Sequence, residues 1–106
     1  MINSIKKALG LTPEIDFALA VRQGAVIIDV RSPGEYASGN VPGSINIPLD
    51  RIKGSPAGMP GREKAIITCC ASGMRSATAR EILHQKGYKS VYNGGSWSSL
   101  KHKITK

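Results

Sequence analysis

Cys70 is the residue of this chain best placed to do chemistry. It opens the run Cys70-Ala71-Ser72-Gly73-Met74-Arg75-Ser76, where small residues follow a thiol and an arginine stands close behind. An apolar stretch, Ala65 to Cys69, leads into this run, and a helical pattern from about Arg75 to Lys86 leads out. Strand, tight loop and helix in that order let successive backbone N–H groups converge on one point, with the helix's positive end behind them. Those dipoles favour a thiolate over a thiol, so Cys70 reads as a nucleophile with a lowered pKa in a cradle that also draws anions. The competing reading is a buried structural cysteine, a common fate of a free thiol. A position at the C-terminal end of a strand, where open α/β sheets bind their ligands, favours chemistry.

The substrate-binding candidates are the residues that follow. Ala71, Ser72, Gly73 and Met74 form the wall of the loop, and the first three are small enough for close approach to the backbone. Arg75 can fold back and hold the oxygens of an anion in pairs, or simply begin the helix. Ser72 and Ser76 can offer hydroxyls to the same anion or cap the helix. Cys69, one residue back, is expected to point into the sheet packing with a structural role. Asp29, Arg31 and Glu35 read as a pairing and capping group rather than a catalytic carboxylate set. His84 and His102 have no evident path to Cys70. Two adjacent cysteines and two distant histidines match no usual metal-ligand spacing, and Gly58-Met59-Pro60-Gly61 follows no strand, so no metal and no cofactor are expected.

Several elements must position these residues. Thr12-Pro13-Glu14 has the form of a helix start, with a capping hydroxyl, a proline and an acid in order, and Gly24 is a plausible stop. Ala25 to Val30 is a nearly continuous apolar run, as in a strand covered on both faces. Ser32-Pro33-Gly34-Glu35 then spells a capping box with proline at the first helical position. A short strand at Ser44–Ile47, one helical turn at Leu49–Lys53 and a loop from Gly54 to Gly61 follow. Beyond the Cys70 loop, Ala79, Ile82 and Leu83 share one helical face and Gly87 ends the helix. Lys89–Tyr92 reads as a last short strand, Asn93-Gly94-Gly95 as a turn, and Trp97 onward as a terminal helix with a basic end. Strands alternating with helices predict a single α/β domain over 1–106 with a mainly parallel sheet.

Composition narrows the function. Fifteen Lys and Arg against seven Asp and Glu give a net charge of +8. That favours anionic small molecules or acidic protein surfaces. The basic residues are scattered and accompany no zinc-finger spacing or aromatic stacking series, so no nucleic-acid partner is expected. No apolar run approaches the roughly 20 residues of a membrane helix, and no secretory signal is expected at the N-terminus. Adjacent cysteines suit a structural disulfide poorly, which predicts free thiols in a reducing, cytoplasmic compartment.

Four ordered pieces resemble the rhodanese (thiosulfate sulfurtransferase) family. They are Ile28-Asp29-Val30-Arg31-Ser32-Pro33-Gly34-Glu35-Tyr36, the segment Gly39 to Pro48, the loop Cys70 to Ser76, and Tyr92-Asn93-Gly94-Gly95-Ser96-Trp97. Together they span roughly Thr12 to Trp97. The family often has His where this chain has Asn40, before the Pro42-Gly43 turn and away from the loop, so little effect on chemistry is expected. The glycine motif at Gly94 is also shorter than in many members. The resemblance implies a five-stranded, mostly parallel sheet flanked by helices, and a cysteine, here Cys70, that carries sulfur as a persulfide. It implies a small anionic donor such as thiosulfate and a thiol or cyanide as acceptor, and the basic surface permits an acidic sulfur-relay protein as a further partner. A persulfide carrier or regulatory module is the alternative. Related cysteine phosphatases and arsenate reductases place five residues between cysteine and arginine. The four here resemble the sulfurtransferase form and make that activity a minor alternative.

Overall fold

The computed structural model describes residues 15–105. The four strands β1 (Val26–Asp29), β2 (Ile45–Asn46), β3 (Ile66–Cys70) and β4 (Val91–Ser96) form one sheet in the order β2-β1-β3-β4. Every pairing is parallel. The expected α/β architecture is therefore present, with four strands among the described residues rather than the five the resemblance implies. The helix start at Thr12-Pro13-Glu14 lies outside the described residues. Helix α1 (Phe17–Arg22) is capped instead by Asp16, whose carboxylate accepts the Leu19 N–H at 3.0 Å.

Helices cover both faces, as parallel strands require, because each β–α–β crossover must pass over the sheet. The side-chain alternation of β1 and β3 splits the interior into two layers. Ile28, Val30, Ile66 and Cys70 point toward α3 (Leu49–Ile52) and α4 (Met74–Gln85), where they meet Ile52, Ala79 and Leu83. Ile27, Ile67 and Cys69 point the other way, toward Leu100 and Trp97 of α5 (Trp97–Ile104) and toward Phe17, Ala20 and Val21 of α1. Consecutive cysteines in one strand thus serve opposite faces, and Cys69 lies in the packing, as expected.

The expected capping box forms at α2 (Pro33–Ala37). Ser32 Oγ accepts the Glu35 N–H at 3.3 Å while Glu35 Oε1 accepts the Ser32 N–H at 3.0 Å. At the end of β4 the structure corrects the sequence reading. Asn93-Gly94-Gly95 continues the strand instead of turning the chain. Thr68 pairs with Asn93 and Cys70 with Ser96, so one extra residue of β4 is accommodated as a bulge. The glycines serve close approach: a Cβ on Gly94 would lie 2.8 Å from Ile67 Cγ2 and 2.9 Å from the Thr68 carbonyl oxygen. Gly95 has φ +79°, the left-handed region that a bulge residue takes most easily as glycine.

Candidate active site

Cys70 ends β3, and the chain bends through Ala71 and Ser72 to Gly73, the residue before α4. Gly73 makes this possible. Its φ of +100° turns the backbone back over the sulfur, and a side chain in that conformation would be strained. The Gly73 N–H reaches Cys70 Sγ at 3.0 Å and the Ser76 N–H at 3.3 Å. Ser76 Oγ lies 3.4 Å from the same sulfur. Burial pushes the Cys70 thiol up, but hydrogen bonds from the Ser76 hydroxyl and from the amides of Ser76, Gly73 and Ser72 outweigh it and leave the pKa lowered. The 12-residue α4 points its positive end at the same place. Cys70 itself has 0% exposure, while the next two residues, Ala71 and Ser72, are exposed.

Cys69 shows the opposite behaviour. Burial, followed by the nearby Asp29 charge, pushes its thiol up to about 12. Two neighbouring thiols are thus shifted in opposite directions by which side of one sheet they face.

The residues after Cys70 do not all converge on it. Gly73 and Ser76 do, and Ser72 contributes its amide. The Met74 side chain is 79% exposed beside the loop. Arg75 does not fold over the sulfur. Its Nη1 and Nη2 donate to Glu35 Oε1 and Oε2 at 2.8 and 2.9 Å, a bidentate pair across 40 residues of sequence. Glu35 therefore caps α2 and holds the arginine of the loop at once. Both side chains remain partly exposed, at 39% and 38%, so the pair borders the loop instead of closing it.

The Rhodanese-like domain model matches residues 16–102. The chain belongs to the rhodanese-like domain family. It is 38% identical over 96 residues to thiosulfate sulfurtransferase PspE of Escherichia coli, covering 90% of this chain and 91% of that one. It is 33% identical to a thiosulfate:glutathione sulfurtransferase of Saccharomyces cerevisiae, over 73% of this chain and 66% of that protein. Among solved structures, an E. coli rhodanese determined with anions superposes with a TM-score of 0.66 at 35% identity, covering 72% of this chain and 91% of that one. The human single-domain sulfurtransferase TSTD1 gives 0.70 at 25% identity, covering 81% and 88%. By this kinship the chain is a thiosulfate sulfurtransferase-like enzyme of the rhodanese family.

Two parts of this rhodanese-like site escaped the sequence reading. The first is the surroundings of the Asp29–Arg31 pair. Arg31 donates from Nε and Nη2 to the Asp29 carboxylate at 2.8–3.0 Å, and from Nη1 and Nη2 to the carbonyls of Glu35 and Gly39 at 3.1 and 2.6 Å. Its guanidinium also lies 4.6 Å from the centroid of the Trp97 ring. The pairing was expected, whereas the Trp97 cover joins elements far apart in sequence. The second is Asn93. Its Oδ1 accepts from Ser76 Oγ at 2.6 Å and from the Gly95 N–H at 2.9 Å, and its Nδ2 donates to the Gly73 carbonyl at 3.2 Å. An asparagine before two glycines reads locally as a turn residue. No local signal marks it as a neighbour of Cys70.

Proposed function

We propose that this chain is a sulfurtransferase that moves sulfane sulfur from thiosulfate, or another persulfide donor, to a thiol or cyanide through a Cys70 persulfide. The observation that carries the reading is the pair of amides, of Gly73 and Ser76, that donate to Cys70 Sγ, with the Ser76 hydroxyl 3.4 Å from the same sulfur. A thiolate stabilised this way is the attacking form. It displaces sulfite from the outer sulfur of thiosulfate: one S–S bond forms, one breaks, and the bonding pair leaves with sulfite. A nucleophilic acceptor then takes the outer sulfur, as thiocyanate or as a new persulfide, and regenerates the thiolate. No external oxidant or reductant enters the cycle.

Ala71, Ser72, Gly73, Met74, Arg75 and Ser76 are the residues assigned to donor binding. Amides preorganised toward one point stabilise negative charge on the persulfide and on the leaving group without reorganising during the reaction. Cys70 has no exposed surface, so the donor must approach it through the loop whose next residues, Ala71 and Ser72, are exposed. Arg75 stays cationic beside Glu35, at the edge of the loop, where it attracts the sulfonate end of a donor. The net charge of +8 favours anionic donors and an acidic protein partner.

The test is an intact-mass measurement after incubation with excess thiosulfate and removal of the excess. The expected gain is one sulfur atom, about 32 Da, absent in Cys70→Ser. A gain that survives in Cys70→Ser overturns the assignment of the nucleophile. No gain in the unaltered chain overturns thiosulfate as the donor and leaves a protein-borne persulfide in its place.

A further inference from the structure

Ser76 has one hydroxyl hydrogen and three acceptors within reach: Asn93 Oδ1 at 2.6 Å, the Gly73 carbonyl at 3.1 Å and Cys70 Sγ at 3.4 Å. The hydrogen cannot serve all three. While Cys70 is a thiol, its S–H donates to Ser76 Oγ and the Ser76 O–H donates along the shortest contact, to Asn93. Once Cys70 is a thiolate it has nothing to donate, and Ser76 must turn its hydrogen toward the sulfur to stabilise it. Asn93 Oδ1 tolerates that loss because it keeps the Gly95 N–H at 2.9 Å. Its Nδ2 stays on the Gly73 carbonyl throughout, so the side chain does not rotate.

The geometry points to Asn93 as a positioning residue for Cys70: a relay from Cys70 through Ser76 to Asn93 makes the Ser76 hydroxyl choose between amide and sulfur. Each ionisation gives up the Ser76–Asn93 bond, so Asn93 holds the thiol back from full ionisation. The consequence for reactivity is direct. A thiolate stabilised too strongly is a weaker nucleophile, and attack is fastest when the thiol's pKa lies near the ambient pH. Asn93 offsets part of the stabilisation supplied by the loop amides, and it does so from β4, outside the loop.

Charged groups around the sulfur do not carry this effect. Those on the surrounding elements are Arg75 of α4 with Glu35 of α2, the Asp29–Arg31 pair at the end of β1, and Asp50 and Arg51 of α3. Arg80 and Glu81 pair with each other further along α4. Cys69, next in the chain, stays protonated up to about 12. Beside the loop β4 presents Asn93 and Ser96, both uncharged, and Tyr92 follows Val91 further back along the strand.

The inference rests on Cys70 being the reacting thiol, but its test reads ionisation and not sulfur transfer. The thiolate absorbance of the full chain is titrated against pH for the unaltered chain, Asn93→Ala, Ser76→Ala and the double variant. Asn93→Ala moves the midpoint to lower pH, raising the thiolate fraction roughly threefold at a fixed pH below it. In the Ser76→Ala background the same change has less than half that effect. Circular dichroism and the urea midpoint of each variant guard against a loosened bulge. An upward shift in Asn93→Ala marks a merely structural role and overturns the relay. So does an equal shift with and without Ser76, or an unmoved midpoint in Asn93→Ala. If these shifts appear in a chain that gains no sulfur from thiosulfate, the relay stands and the thiosulfate reading falls.

Discussion

Replacing Arg31 with Met should be among the most damaging single changes the fold can suffer. The Asp29 carboxylate is fully buried, and Arg31 supplies its side-chain partners. In Arg31→Met, Oδ1 keeps the backbone N–H of residue 31 at 3.0 Å, while Oδ2 loses its contacts at 3.0 and 2.8 Å. The carbonyls of Glu35 and Gly39 lose a donor each, and the Trp97 ring loses its cation. Removing one partner of a buried pair costs about 3–5 kcal/mol, a large share of the roughly 5–15 kcal/mol available to a domain. With a urea slope of about 1.5 kcal/mol/M, a loss of about 4 kcal/mol lowers the unfolding midpoint by roughly 2–3 M. Urea unfolding followed by circular dichroism measures this directly. Asp29→Leu combined with Arg31→Met removes both charges and should recover more than half of the loss, because a buried pair contributes little net stability over an apolar pair of similar volume. A midpoint shift below about 0.5 M in the single variant refutes the reasoning. A double variant no more stable than the single refutes it as well.

Other outcomes follow from the same geometry. Hydrogen bonds from Arg75 hold Glu35 down from its ordinary 4.5 to about 2, so its stabilising effect is complete above 4.5 and lost as the pH falls toward 2. Unfolding midpoints of the unaltered chain and Glu35→Gln should differ at neutral pH and converge across that acid window; a constant difference contradicts the pairing. Cys69→Ala should cost about 1 kcal/mol through a small cavity on the α1–α5 side while sulfur loading at Cys70 persists. A loss of loading would assign Cys69 a chemical role that its packing does not suggest.

Much of this was legible because the signals are local. The Cys70 loop, the Ser32–Glu35 capping box, the apolar runs of β1 and β3 and the glycine stops are short-range patterns. The structure agrees with them to within a residue or two at the ends. The misreadings arise where a residue's partner is distant in sequence. Arg75 looked free to clasp an anion because Glu35 stands 40 residues away. The glycine pair after Asn93 has the local chemistry of a turn, and only the surface of β3, with Ile67 and Thr68 pressed against Gly94, explains why it continues a strand. Asn93 was missed for the same reason. Nothing in the sequence around it announces its bonds to Ser76 and Gly73, the residues that touch the sulfur from the neighbouring loop.

Because all four strands run parallel, the molecule has a working rim and an idle one. The strand ends carrying Asp29, Cys70 and Ser96 lie side by side, and the helices that follow them start there. The opposite rim holds the glycine turns at Gly24 and Gly87, and the connection from Gly54 to Lys64 that leads back to β3 is exposed at Ala57 and Gly58 while its Met59 packs on the core. That division makes the fold portable. A foreign segment spliced in between the exposed Ala57 and Gly58 should therefore leave the loop amides around Cys70 in place, provided that Met59 keeps its seat on the core.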